Sequence, residues 1–273
     1  MINNLEKEII FRFLKSRKKD SFLNLISIFS FIGITLGVAV LIIVMSVMNG
    51  FRIELLDKII GINGHAVVYL NLKKNTNINS ITESIENLSN VDFVSEELEF
   101  NAMISFNKAA SGILVKGIEK ADLLERNSIS NNIIEGNLDN FNKKSVVIGS
   151  RLASYLGINV NQKIRLLTSN SNKTPFGSIP ITDEYTVIGI FDVGMYDYDR
   201  NIIFIPRNQG ASLVRTNRDI TQLEIFLLDS KKLEDSLSNI SKILEDNGKV
   251  FSWKRLHKEL FNALEIEKKV MFL

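Results

Sequence analysis

From Ser21 to Phe51 the chain carries no Asp, Glu, Lys, Arg or His. As a helix such a run reaches about 45 Å, which exceeds the ~30 Å hydrocarbon core of a bilayer. Its centre, Leu25 to Val47, reads LISIFSFIGITLGVAVLIIVMSV. In hydrocarbon a single segment satisfies its own backbone hydrogen bonds only as a helix. The spacing and composition therefore predict a membrane anchor over 21–51. A cleaved signal peptide would also place an apolar run near the N-terminus. Here, however, the run is about twice the usual apolar region. The flank before it mixes Glu6, Glu8 and Asp20 with basic residues, and the exit Ser46-Val-Met-Asn-Gly50 offers no small-x-small cleavage pattern.

The flanks predict an orientation. Arg12, Lys15, Arg17, Lys18 and Lys19 precede the helix, whereas Arg52 and Lys58 follow it interleaved with Glu54 and Asp57. The positive-inside rule puts the N-terminus in the cytoplasm and the residues after the helix on the far side. The chain has no cysteine and a net charge of +2. Neither fixes the redox compartment, and the basic excess lies in the N-terminal flank rather than in a stripe suited to nucleic acid. Within 1–20, Leu5, Ile9, Ile10, Phe13 and Leu14 recur at helical spacing among charges, a pattern for an amphipathic segment lying in the membrane interface; a solvated charged leader is the alternative. In the span, Ser30, Gly33 and Gly37 lie close to one face, where small residues let another helix approach closely. Glycine is also common in membrane helices for no such reason.

Beyond the anchor the expected fold class is α/β plus β. Two segments resemble each other: His65 to Phe100 and Leu223 to Leu256 each read as a β-rich run, a helix with apolar residues every three or four positions, and a second β-rich run. The helices are marked by Ile81, Ile85 and Leu88, and by Leu233, Leu237, Ile240 and Leu244. Two such units form an α/β layer over 52–102 and 222–260. Residues 103–221 switch to short β runs around Gly112-Ile-Leu-Val-Lys-Gly-Ile118, Val146, Lys163, Tyr185 and Asn201, which predicts an inserted β-rich subdomain. The last residues, 261–273, include Phe261, Leu264, Val270, Met271 and Phe272 and read as the start of a second membrane helix, too short to span.

Covalent chemistry finds no support. The only near match to a phosphate-binding loop, Asn247-Gly-Lys249, lacks the glycine four residues earlier. His65 and His257 are far apart in the chain, with no H-E-x-x-H and no thiol, so no catalytic residue, metal site or cofactor is expected. Asp192, Asp197, Asp199 and Arg200 cluster in FDVGMYDYDR, which reads as a turn between two strands, solubilised by its acids. One loop stands out. Two of the three prolines, Pro175 and Pro180, bound Phe176 and Gly177 between two strands. Proline fixes φ and glycine permits a tight turn, so Phe176 is either presented at a stiff tip as a partner anchor or folded back as a core plug.

Gly33-ITLGVAVLIIVMSVMNGF51 with Glu54-Leu55, Val147-IGSRLASYLG157, Thr174-PFGSIP180, Val187-IGIF191 and Glu259-LFNALEIEKKVM271 together resemble the LolC/LolE family of lipoprotein-releasing ABC-transporter permease subunits. The resemblance implies a MacB-like periplasmic core with an α/β Porter part and a β-rich Sabre part. It also implies a bacterial inner-membrane complex with a second permease subunit or a homodimer partner, and a separate cytoplasmic ATPase. Lipoproteins drawn from membrane lipid would be passed to a periplasmic carrier, and the chain itself would not be an enzyme. By the same resemblance Thr174, Pro175, Phe176, Gly177 and Pro180 form the carrier-binding loop, while Val44, Val47 and Met48 line a cavity for acyl chains. Family members continue through three more membrane helices, so this chain reads as truncated before the second. A MacB-type efflux permease, a bitopic periplasmic scaffold and an inactive remnant are the alternatives.

Overall fold

A computed structural model of the protein describes residues 5–6, 8–9, 21–71, 77–174, 177–216 and 219–271. The chain divides into two compact units, one of Met1–Leu55 and Ile266–Leu273, the other of Leu56–Glu265. The long helix α1 runs Ser21–Asn63, twelve residues past the charge-free run. Most of its apolar side chains before Leu56 are exposed, as hydrocarbon rather than water would have them. Its final turns belong to the second unit, where Ile59 and Ile62 are buried. The helix ends because Gly64 takes a left-handed conformation (φ +69°) and its N–H donates to the Ile60 carbonyl at 2.8 Å. This is the glycine stop that a Cβ-bearing residue adopts only with strain.

The second unit begins with β1 (Ala66–Leu70), α2 (Ile78–Glu86) and β2 (Val91–Phe106). Its middle holds β3 (Ala109–Ile118), α3 (Lys120–Glu125), α4 (Asn127–Ser130), β4 (Ile133–Gly136), β5 (Ser145–Gly149) and α5 (Ser150–Leu156). Next come β6 (Lys163–Thr174), β7 (Gly177–Phe191), α6 (Tyr196–Asn201), β8 (Ile202–Pro206) and α7 (Arg207–Val214). It closes with β9 (Gln222–Leu227), α8 (Leu233–Leu244), β10 (Gly248–Ser252), α9 (Trp253–Leu256) and α10 (Lys258–Met271), the last of which continues into the first unit.

The two look-alike segments interleave. In the order β10-β1-β9-β2 all neighbours are antiparallel, so each strand-helix-strand unit straddles a strand of the other, a split β-α-β arrangement. Ile81 and Ile85 of α2 and Leu233, Ile240 and Leu244 of α8 pack on Val68, Leu223 and Ile225 in one core. The periodicity that marked both helices is thus the stripe that covers this sheet. The β-rich middle is not a detached module. β2 pairs with β9 from Val91 to Glu97, then with β3 from Leu98 to Phe106 and with β6 around Ala102 to Ser105. One ten-stranded sheet results, with β2 passing through both halves. A second core of Val146, Ile148, Leu152, Ile164, Tyr185, Val187 and Ile203 fills the middle.

One expectation is corrected. The acidic segment 192–200 is not an open turn solubilised by its carboxylates, because it contains α6, and Asp199 is buried with Oδ1 accepting the Val193 N–H at 2.9 Å. Packing converts this carboxylate from a solvating group into an internal acceptor for a backbone donor that would otherwise be orphaned.

Candidate functional site

The proline-bounded loop is the end of an arm. β6 and β7 pair antiparallel from Lys163↔Thr186 outward to Thr174↔Gly177, with a register irregularity between Leu167 and Ser171. The second neighbour of β6, strand β2, reaches only as far as Thr168. Past that point the two strands form a ribbon with no sheet partner among the described residues, extending by ~20 Å at strand spacing. Pro180 is exposed and opposite Ser171. Proline donates no ladder hydrogen bond, so its presence suits a ribbon edge and blunts further strand pairing. At the root, Asn170 Nδ2 donates to the Val214 carbonyl at 2.6 Å, tying the arm to α7. Thr174 and Gly177 close the ribbon; Pro175 and Phe176 lie outside the described residues, so neither reading of Phe176 is decided.

In the first unit, α1 is long and apolar enough to cross a membrane. A Cβ placed on Gly33 or Gly37 would meet nothing within 4 Å. Their face is open to another helix. Of the three expected cavity residues, Val44 and Val47 are exposed and Met48 is half-buried.

A third feature was missed by sequence reasoning. Where β9, β2 and β3 adjoin, Glu97, Lys116, Arg126 and Glu224 form a fully buried charge cluster. Lys116 Nζ lies 2.6 Å from Glu224 Oε1 and 3.3 Å from Glu97 Oε2. Arg126 pairs with Glu97 through Nη2, and its Nη1 lies 3.0 Å from Glu224 Oε2 while donating to the Ile62 carbonyl at 2.8 Å. Burial alone would raise the Glu97 carboxyl, but Arg126 and Lys116 hold it below the ordinary range. Burial and the Glu97 charge push Glu224 up to about 7. Glu97, Glu99 and Glu224 each bring a carboxylate oxygen within 4.8 Å of the others, the geometry of a cation site, but the Lys116 ammonium occupies it. The sequence did carry a faint sign: Lys116 and Glu224 are single charges inside the apolar runs Ile113-Leu-Val-Lys-Gly-Ile118 and Leu223-Glu-Ile-Phe-Leu227.

His65 has a structural role. His65 Nδ1 accepts the Leu227 N–H at 3.0 Å, and burial lowers its pKa against the opposing pull of Asp92 and Asp57.

The fold is a long apolar helix joined to a split β-α-β layer and a β-rich half with a projecting arm. Residues 27–240 match the model of the MacB-like periplasmic core domain, and the chain belongs to that family. Within it the chain is a member of the LolC/LolE family. It is 25% identical to the "Lipoprotein-releasing system transmembrane protein LolC" of Neisseria meningitidis serogroup B over 99% of this chain and 66% of that protein. It is 29% identical to LolC of Haemophilus influenzae over 97% of this chain and 65% of the relative. For LolE of the same organism the figures are 30%, 85% and 58%. The chain thus spans 58–66% of the length of these relatives. Among solved structures, the periplasmic region of MacB from Actinobacillus actinomycetemcomitans aligns with a TM-score of 0.48 and 11% identity, covering 74% of this chain and 94% of that one.

Proposed function

We propose that this chain belongs to a membrane subunit of an ABC transporter that releases lipoproteins from the bacterial inner membrane. In this reading the N-terminus is cytoplasmic and the second unit periplasmic. ATP is hydrolysed by a separate cytoplasmic subunit, a second permease subunit packs on the face of Ser30, Gly33 and Gly37, and a periplasmic carrier takes the lipoprotein. The chain contributes no covalent chemistry. One observation above all supports it: past Thr168 and Thr182 the β6–β7 ribbon has no further strand neighbour among the described residues and extends beyond the sheet. A ribbon that projects in this way offers its tip and edges to a partner. The relatives LolC and LolE, lipoprotein-releasing system transmembrane proteins, point to lipoproteins as the cargo.

The test is co-purification of the full chain, in detergent, with a periplasmic lipoprotein carrier, with and without the ribbon tip 172–179. Capture that depends on the tip is the expected result. Capture equal in both forms would remove the arm from the carrier contact, and no capture by either form would favour a MacB-type efflux role.

A further inference from the structure

Strand β10 closes one end of the ten-stranded sheet, with β1 on its inner side. Every residue of β9 is buried, whereas none of β10 is. The ladder between β1 and β10 runs without a shift from Ala66↔Ser252 to Leu70↔Gly248. At its two ends the Trp253 N–H donates to the His65 carbonyl at 3.1 Å and the Asn71 N–H to the Asn247 carbonyl at 2.7 Å. Bonded and non-bonded pairs alternate along an antiparallel ladder, so Lys249 and Phe251 direct their backbone groups to β1. Gly248, Val250 and Ser252 direct theirs to the outer side, where a further strand can add. The strand has neither a proline nor a bulge to discourage that pairing. A cavity of about 890 Å³ follows the same edge, lined by Lys249, Val250 and Phe251 together with Tyr69 of β1, Ser241 of α8 and Arg255.

We propose that this edge is a strand-addition site for an extended acidic segment of a partner polypeptide, one in which carboxylates alternate with apolar side chains. The two faces beside the edge carry the argument. Tyr69, Lys249 and Phe251 share one face, the two rings meeting edge to face at 5.8 Å, and Arg255 Cζ stands 4.9 Å from the Phe251 ring centre. No carboxylate pairs with Lys249 or Arg255 among the described residues. Val250 lies on the opposite face, against the core that α2 and α8 cover. Glu245 and Asp246, in the turn before the strand, also line the cavity, which is thus acidic at the head of β10 and cationic from Lys249 onward. A strand added antiparallel, as at every other pairing in this half of the sheet, places its carboxylates beside Lys249 and Arg255 and its apolar side chains beside Val250. A second copy of β10 is a poorer occupant, because it adds its own Lys249 and Arg255 to a face already cationic. The arm is built on β6 and β7, so this site is independent of the carrier reading.

The test is a fluorescence-anisotropy titration of the full chain in detergent with a labelled heptapeptide of alternating valine and glutamate, capped at both ends. It should bind about tenfold or more tighter than the same peptide with lysine in place of glutamate. N-methylation at the valines, whose N–H groups face β10 in the antiparallel register, should abolish binding, and N-methylation at the glutamates should not. Val250→Pro removes an outward N–H and none that β1 uses, so it should keep the unfolding midpoint and weaken binding about tenfold or more. Lys249→Glu combined with Arg255→Glu should leave the fold intact and reverse the preference to the lysine peptide. No saturable binding up to about 1 mM peptide would overturn the proposal. So would binding indifferent to N-methylation of the valines, or a preference that survives the charge reversal. A chain that is dimeric by itself and becomes monomeric in Val250→Pro would also overturn it, giving the edge to a second copy.

Discussion

Arg126 is the side chain on which the junction of strands and helix end converges. It is fully buried, pairs with Glu97 and Glu224, holds the Ile62 carbonyl, and lies over the Phe226 ring at 5.2 Å. A buried ion pair adds little net stability over an apolar filling, yet removing one partner strands the other. Arg126→Met should therefore lower stability by about 3–5 kcal/mol in chemical or thermal unfolding, and adding Glu224→Gln should recover part of the loss. His65 makes a pH prediction. Its folded pKa is depressed by burial, so the bond its Nδ1 accepts from Leu227 contributes above the free value of 6.5 and is lost as pH falls through the folded value. The unfolding midpoint should drop below pH 6 with a slope of up to about 1.4 kcal/mol per pH unit. His65→Gln, which keeps an acceptor, should flatten it. Glu245 sits at φ 48°, ψ −117°, with the Asn247 N–H closing on the Leu244 carbonyl at 2.8 Å, a turn whose first central position suits glycine. Glu245→Gly should raise stability by about 1 kcal/mol in the same assay.

Among the elements, the arm carries the clearest consequence of sequence. Pro175, Gly177 and Pro180 announced a constrained loop, and the ribbon ending at Thr174 and Gly177 is where that constraint falls. Phe176→Ala should weaken carrier capture about tenfold or more while leaving the unfolding midpoint unchanged, as expected of an interface anchor that is not part of a core. Capture unchanged in a pull-down would remove Phe176 from the contact. Local patterns also foretold α2, α8 and the strands of the middle region, because each has its own apolar period. What no local pattern conveyed was the length of β2, whose residues 91–97 serve one neighbour and 98–106 others, or the helix α6 within an acidic stretch. Both depend on partners distant in the chain.

For the whole molecule, the open face of Gly33 and Gly37 is where the proposed assembly is tested. Gly33→Leu should leave the second unit folded, since nothing lies within 4 Å of the added Cβ. It should abolish co-purification with the other membrane subunits by blocking close helix approach. Normal complex recovery would rule out that face. The sequence by itself determined the long apolar helix and the paired strand-helix-strand units of the second unit, because charge-free length and apolar period are properties of contiguous residues. Only the tertiary structure decided that the β-rich middle shares one sheet with the α/β layer. It alone brought Glu97, Lys116, Arg126 and Glu224 together beneath the last turn of α1. Charge pairing acts through space, and strands separated by more than a hundred residues meet only when the sheet is built.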